Sequence, residues 1–240
     1  MNIYEELRQR AATALAAHRM IGERVSVKAR ALSPTEAIGN PEADDFPIQK
    51  GRERLMQADI RGSLGQAFTD HFGDYEGTLE EILAAELNSN YRRAIFAAAL
   101  NAALRHLKLI GGTVHCRDEE PGQCAEALAD HIQNRHGKVK IVQIGFQPRM
   151  IESLSSRFTM RVLDMDRDNI GRRKCGALIE APEASETALA WADLLVVTGT
   201  TLVNGTLPAF VGSKPVIFYG TTIAGAAHLM GWERFCPHSA

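Results

Sequence analysis

Continuous apolar runs dominate the second half of the chain. From about residue 138, four runs rich in Val, Ile and Leu occur in the segments KVKIVQIG, FTMRVLDMD, DLLVVTG and KPVIFYG. Runs that do not alternate with polar residues are typical of strands buried on both faces, as in a parallel sheet. Two of the segments between these runs, PRMIESLSSR and ASETALAWA, have the composition of helices. The pattern predicts a Rossmann-like α/β domain, a parallel sheet with flanking helices, over residues 137–240.

The first half shows other periodicities. Apolar residues recur at helical spacing over residues 3–19, which predicts an amphipathic helix. RVSVKARAL, residues 24–32, alternates like a half-buried strand, and RLMQADIRGSLGQAFTD predicts short strands with glycine turns. The alanine-rich segment YRRAIFAAALNAALRHL, residues 91–107, predicts a helix with its apolar side chains on one face. We expect an α+β lobe over residues 1–136, with the boundary in NRHGK.

Composition narrows the class of protein without naming a partner. The chain has 240 residues, 45% of them apolar and 23% charged, with a formal net charge of -2. This balance gives the chain no overall electrostatic attraction to nucleic acid. The longest apolar runs are too short to span a bilayer. The amino-terminal segment carries charges where a signal peptide needs an apolar stretch. We expect a cytoplasmic protein with no membrane partner. Whether it forms a homo-oligomer is left open by the sequence.

Candidate binding residues follow the four predicted strands. In an open parallel sheet, ligands bind outside the carboxyl ends of the strands. Three of the four strands end in glycine, which lets backbone amides approach a ligand. We call the residues directly after a strand its exit. In chain order, the four exits contain Gly145, Phe146, Gln147 and Pro148; Asp164, Asp166 and Asp168; Gly199, Thr200, Thr201 and Asn204; and Gly220, Thr221 and Thr222.

The glycine–threonine exits suit a small anionic molecule. Thr200 or Thr201 could cap the following helix, and the amides and hydroxyls nearby would form a cradle for a carboxylate or phosphate. The alternative is that these residues only make turns and caps, because Asn204–Gly205 is an ordinary turn dipeptide.

Asp164 is a second binding candidate, for a hydroxyl or amine group. It lies 19 residues after Gly145, close to the spacing at which an acid meets a ribose in dinucleotide-binding folds. GFQPRM lacks the second and third glycines of that fingerprint, which disfavours a dinucleotide. The alternative is that the acidic residues after the second strand cap a solvated loop.

A cluster of soft donors lies between the two predicted lobes. His115, Cys116 and Cys124 offer one imidazole and two thiols within ten residues, and such donors suit a transition or heavy metal ion. Their spacing fits no standard structural zinc site, so buried core thiols are the alternative. A position near a helix start would favour the thiolate of Cys124. Cys175 and Cys236 stand alone in the sequence. Without a secretion signal, we expect free thiols or ligands rather than disulfides.

Several motifs together resemble the heavy-metal chelation family. They are AIFAAALNA, VQIGFQP after the first Rossmann-type strand, VVTGTTLVNGTLP after the third, and VIFYGTT after the fourth. The resemblance implies an amino-terminal lobe like that of enolase joined to a Rossmann-like domain. It also implies a site in the cleft between the lobes that binds a metal or a metal-chelating small molecule.

Two functions of different classes follow. The chain could be a binding module that holds a metal or a metal chelate between its lobes. It could instead be an enzyme acting on a nucleotide-like or cofactor-like anionic molecule, with Asp164 at the substrate. The sequence contains no Ser-His-Asp order, Walker loop or H-E-x-x-H helix, and this favours binding over a familiar hydrolytic chemistry.

Overall fold

The described residues of the computed structural model, 2–21, 26–51, 53–212 and 214–240, build two sheets with helices between and around them. One sheet is antiparallel and the other is mostly parallel, which confirms the predicted α/β fold class. Within these ranges, no helix has the length and apolar character needed to cross a membrane.

The elements alternate most regularly in the second half. The helices are α1 (Ile3–Ala17), α2 (Pro34–Ile38), α3 (Leu79–Ala84), α4 (Asn90–His106), α5 (Glu120–His136), α6 (Pro148–Arg157), α7 (Ser185–Trp191), α8 (Thr200–Asn204) and α9 (Ala224–Met230). The strands are β1 (Ser26–Leu32), β2 (Arg54–Ile60), β3 (Ser63–Thr69), β4 (Tyr75–Thr78), β5 (Lys140–Ile144), β6 (Thr159–Leu163), β7 (Arg173–Lys174), β8 (Ala177–Glu180), β9 (Leu194–Thr198) and β10 (Val216–Tyr219).

The antiparallel sheet has the order β3-β2-β1-β4. β2 and β3 form a hairpin whose turn uses Arg61 and Gly62, both with positive φ. The predicted strand over residues 24–32 corresponds to β1, and its first two positions lie outside the described residues. The short strands that the alternating pattern predicted in the first half are therefore present.

The mostly parallel sheet has the order β10-β9-β5-β6-β8-β7. The four predicted strands are β5, β6, β9 and β10, and they are neighbours in parallel pairs. A hairpin of β7 and β8, which the sequence pattern did not reveal, extends the sheet beside β6. β7 has two residues and β8 has four, so neither is long enough to show a clear period.

α4 lies between the two sheets and is buried around its circumference. Every residue from Ala94 to Leu104 is buried, so the prediction of a single apolar face was incomplete. The small side chains allow close approach on two sides: a Cβ on Gly65 of β3 would collide with the α4 backbone, and one on Gly225 of α9 would lie 2.9 Å from Asn101 Oδ1. One apolar core consequently includes Phe96 and residues of both sheets. The predicted boundary falls between α5 and β5, and it stays a prediction.

Candidate functional site

A cleft of about 850 Å³ lies where the carboxyl edge of the parallel sheet faces the first half of the chain. The exits of β5, β6, β9 and β10 form one side of it. The other side comes from residues 38–48, Glu53, the end of β3 and residues 115–124. The cleft is therefore built from both halves of the chain, and the ligand site that the resemblance implies there stays a prediction.

The predicted exit residues meet at one edge because the strands are parallel neighbours. β9 lies between β5 and β10, which brings the exits that begin at Gly145, Gly199 and Gly220 to the same side. Gly145 has a φ of 93°, and a Cβ there would lie 2.7 Å from Thr198 Cγ2. Glycine is thus required at this exit, and the backbone stays open toward the cleft.

Asp164 lines the cleft and also holds two loops in place. Its Oδ2 accepts the backbone N–H of Phe146 at 2.7 Å, and its Oδ1 accepts the backbone N–H of Asp166 at 2.8 Å. Oδ1 is also 3.3 Å from Asn169 Nδ2. These contacts support the loop-cap alternative, while the position at the cleft keeps the ligand role as a prediction.

The exit of β9 is organised differently from the predicted cap. Gly199 occupies the N-cap of α8, so neither Thr200 nor Thr201 caps the helix. Thr201 Oγ1 instead donates to the backbone oxygen of Thr198 at 2.7 Å, and the hydroxyls of Thr198 and Thr200 lie 2.8 Å apart. The hydroxyl groups of these threonines therefore bond to the end of β9 and to each other, at the point where the five-residue helix α8 begins.

The exits after α8 and β10 are tied to other parts of the fold. Asn204 Oδ1 accepts from the N–H and the hydroxyl of Thr206, at 3.0 and 2.7 Å, which is the turn role considered for Asn204. Thr222 Oγ1 accepts the N–H of Phe68 on β3 at 3.0 Å. The backbone oxygen of Thr221 accepts from the buried side chain of Asn101 at 2.9 Å. The β10 exit therefore connects the two sheets.

Two acidic residues of the first half, which sequence reasoning missed, line the cleft together with Asp164. They are Glu53, just before β2, and Asp70, just after β3. Burial, followed by repulsion from Asp164, Asp70 and Asp166, raises the pKa of Glu53 from 4.5 to about 7. Burial alone would raise the pKa of Asp70, but hydrogen bonds from Asn90 and His71 lower it. Carboxyl groups from both halves thus converge in the cleft.

Apolar side chains form much of the remaining wall. They are contributed by the segment that contains α2, by β3, and by the β5 and β9 exits, and they include Ile38, Phe46, Ile48, Phe68, Phe146 and Phe210. The ring of Phe146 also has the ammonium group of Lys174 at 5.2 Å from its centroid. Such a wall suits the carbon skeleton of an organic molecule, because pockets for small molecules are lined mostly by apolar side chains.

The predicted thiols come together, and a third one joins them. Cys116, Cys124 and Cys236 all line the cleft. The hydrogen bond with Cys116 is the largest cause that raises the pKa of Cys124 to about 11. The expectation of a favoured thiolate is therefore wrong. Cys124 is the fifth residue of α5, and the Cys116 thiol and burial raise its pKa in spite of its position near the helix start.

His115 is close to these thiols in sequence and also lines the cleft. Burial lowers its pKa to about 4, so the imidazole is neutral at pH 7. Its Nδ1 lies 2.5 Å from the backbone oxygen of Cys116, an acceptor, so Nδ1 carries the proton. The centroids of the His115 and Phe68 rings lie 5.2 Å apart, and the two rings meet edge to face. His115 therefore has only Nε2 available as a metal donor.

The donors fit some metal ions and not others. Among the described residues, no group of three or more His, Cys, Asp or Glu side chains is arranged to hold a metal ion. A tetrahedral zinc site needs four ligands and does not fit. Neighbouring thiols are nonetheless the donors that soft ions prefer. The residues fit an ion with two sulfur ligands, or one that arrives with an organic chelator, and the set His115, Cys116 and Cys124 stays a prediction.

The fold and the cleft define an α/β protein of two packed sheets with a candidate ligand site between them. Residues 127–227 match the model of the DUF364 family, described as "Putative heavy-metal chelation". This match confirms the resemblance that the exit motifs indicated. No curated protein matches the chain.

Two solved structures of DUF364 proteins of unknown function share the fold. One, from Pyrococcus horikoshii, is 16% identical with a TM-score of 0.56, and the match covers 90% of this chain and 79% of that one. The other, from Desulfitobacterium hafniense DCB-2, is 16% identical with a TM-score of 0.52, covering 74% and 72%. At this identity the likeness concerns the fold, and the enolase-like character of the first lobe stays a prediction.

Proposed function

We propose that the protein binds a small organic molecule that carries positive charge, above all a metal chelate, in the cleft between the two lobes. The observation that carries this proposal is the convergence of Glu53, Asp70 and Asp164 in a largely apolar cleft of about 850 Å³. The family description supports the link to metals.

The size and the walls of the cleft support an organic ligand. Pockets for small molecules commonly have volumes of roughly 300–1,000 Å³ and apolar walls with a few polar groups. Phe46 and Ile48 on one side and Phe146 on the other provide such walls. A hydrated bare ion would leave most of this apolar surface without a partner. The ligand therefore has a body of its own.

The charges in the cleft support a positive group on that body. Glu53 is repelled by Asp164 and Asp70, and a bound cation would remove that repulsion. A free carboxylate or phosphate placed at this end would add to it. An anionic group of the ligand at the exits of β9 and β10 is compatible with these carboxyl groups only if the same ligand also presents positive charge toward them. A metal chelate, with anionic chelator groups around a cation, has both features.

A second candidate function is catalysis on the bound molecule. It is favoured by Glu53, because a carboxyl group with a pKa of about 7 can both donate and accept a proton at neutral pH. In this case Glu53 would exchange a proton with the ligand while Asp164 keeps the exit loops in place. Enzymatic turnover of the co-purified molecule would distinguish this function from binding alone.

Charge-neutralising variants test the proposal. Wild type, Glu53→Gln and Asp70→Asn are purified without air or chelators, and the bound organic mass is measured by native mass spectrometry. Each variant should weaken retention by about 10- to 100-fold, the equivalent of one charge-assisted contact of roughly 1.5–3 kcal/mol. Glu80→Gln, an exposed change on α3, is the matched control and should retain the ligand like wild type. Equal retention in all four proteins would contradict the proposal.

A further inference from the structure

Part of the cleft wall is an irregular segment that belongs to neither sheet. Residues 43–51, which we call the lid, lie between α2 and β2 and contain one short 3₁₀ turn, Pro47–Lys50. Phe46, Pro47 and Ile48 line the cleft. Phe46 and Ile48 pack in a small apolar cluster with residues of α2, β1 and β2, apart from the main core. Moving the lid would therefore leave the core that joins the two sheets intact.

The two ends of the lid are held differently. Directly before it, Asp118 Oδ1 accepts the backbone N–H of Asn40 at 2.9 Å, and Glu119 Oε1 accepts that of Glu42 at 3.0 Å. The lid therefore begins after a clamped stretch. At its other end Gly51 has a φ of 76°, and a Cβ there would lie 3.9 Å from the nearest atom of the described, non-adjacent residues. Gly51 thus combines the left-handed conformation with open space, which suits a hinge.

In the described part of the chain, one ion pair joins the lid to the second half. Arg149 Nη2, at the start of α6, lies 2.6 Å from Asp45 Oδ2. Within the same described ranges, the other hydrogen bonds of residues 43–51 stay inside the lid, such as that from Gln49 Nε2 to the backbone oxygen of Ala43 at 3.1 Å. The ion pair is therefore the polar contact that keeps the lid against α6.

This ion pair uses only part of what its two groups can form. Arg149 places one nitrogen on Asp45 and another, Nη1, 3.0 Å from Glu152 Oε2 within α6. Asp45 Oδ1 and Arg149 Nε are buried without a hydrogen-bond partner among the described residues. A guanidinium and a carboxylate can pair through two parallel contacts, so a single contact holds the lid less strongly than these groups allow. Opening would give both unsatisfied atoms access to water, which favours release.

We propose that the lid opens to admit a small molecule to the cleft, and that the Asp45–Arg149 pair is its latch. Opening would carry Phe46 and Ile48 away from the apolar wall, and closing would return them to the carbon skeleton of the bound molecule. The lid serves the ligand of the proposed function, but its movement is a property of the chain alone. The latch lies directly after the β5 exit, so a segment that lines the cleft also fixes the closed lid.

The experiment measures how fast iodoacetamide alkylates Cys116 and Cys124, two buried thiols that line the cleft. The protein is dialysed until its native mass is that of the chain alone, and peptide mass spectrometry measures each thiol. Asp45→Lys replaces the attraction in the latch by repulsion and should speed alkylation about 3- to 10-fold. Loss of a partly exposed ion pair alone accounts for a factor of about 5 or less, and the repulsion adds to it. Asp45→Lys combined with Arg149→Glu should return the rate to that of wild type.

Asp44→Lys is the matched control, because it adds a positive charge at an exposed neighbouring position of the lid. It should react like wild type. Circular dichroism and the urea midpoint check that each variant is folded. Equal rates in Asp45→Lys and Asp44→Lys, or a double variant that reacts as fast as Asp45→Lys, would overturn the latch. Because alkylation is measured without a ligand, neither result decides the retention test with Glu53→Gln and Asp70→Asn.

Discussion

Asp164 Oδ2 accepts a hydrogen bond from the backbone N–H of Phe146 at 2.7 Å. This contact joins the exits of β5 and β6, the two parallel neighbours from which one wall of the cleft begins. The carboxylate expected to hold a ligand hydroxyl or amine is thus also part of the scaffold. Its substitution should affect the fold as well as any ligand.

Asp164→Asn should lower the free energy of unfolding by about 1–3 kcal/mol. An amide group cannot accept at both positions where the carboxylate accepts backbone N–H groups, so one buried donor loses its partner. Urea unfolding followed by circular dichroism measures the change. Asp44→Asn, at an exposed position, is the control and should stay within about 0.5 kcal/mol of wild type. Equal unfolding midpoints for the two variants would contradict the scaffold role.

Glu53 should make the stability of the ligand-free protein depend on pH. Between its usual pKa of 4.5 and the raised value of about 7, the folded state keeps a proton that the unfolded state has released. The free energy of unfolding should therefore fall as the pH rises through this window. We expect a contribution of about 1–2 kcal/mol, below the roughly 3 kcal/mol that the full shift implies, because solvent in the cleft screens the charges.

Glu53→Gln should remove that contribution, and urea unfolding at pH 5 and pH 8 measures it. The difference between the two pH values should be smaller in the variant than in wild type by the same 1–2 kcal/mol. Glu80→Gln should keep the wild-type difference. A Glu53→Gln protein with the full wild-type pH dependence would show that Glu53 is not the titrating group.

Asn101 should be among the polar residues that most stabilise the fold. From the middle of α4, its amide donates to the backbone oxygens of Gln66 and Thr221, both at 2.9 Å, and accepts the N–H of Gly225 at 2.7 Å. Asn101→Ala should cost about 2–4 kcal/mol, because several buried backbone groups lose their partner. Urea unfolding tests this, with the exposed Asn88→Ala as control. A loss below about 0.5 kcal/mol would contradict it.

Arg149 should hold the segment 39–51 over the cleft. Its Nη2 lies 2.6 Å from Asp45 Oδ2, an ion pair between the start of α6 and that segment. Arg149→Gln should speed amide hydrogen exchange in residues 39–51, with a loss of global stability of only about 1 kcal/mol or less, because the pair is partly exposed. Hydrogen exchange read by mass spectrometry measures it, and Arg172→Gln is an exposed control. Unchanged exchange in this segment would count against the role.

The sequence predicted the parallel strands and their exits because both are local features. A strand buried on both faces is a continuous apolar run, and its exit is the next few residues, as for Gly145 and Gly199. The β7–β8 hairpin was missed because its strands are too short to show a period. The burial of α4 on all sides was also underestimated, since alanines suit an exposed helix as well as a crowded one.

The remaining site residues depend on contacts between distant segments. Glu53 precedes β2 and becomes a site residue only because the first sheet faces Asp164 across the cleft. Cys236 lines the same cleft as Cys124 only because the chain after α9 runs along β10. No local pattern marks such residues. Asp70 had a partial signal, since it directly follows the last residue of β3 and so lies at a strand end.

Native mass spectrometry combined with elemental analysis, on wild-type protein purified without air or chelators, shows directly what the cleft holds. We expect one organic molecule per chain, bearing a chelated metal or another positive group, and its release when Glu53 and Asp70 are neutralised. A purified protein that holds a bare inorganic anion in the cleft, or an organic molecule with no positive group, would contradict it.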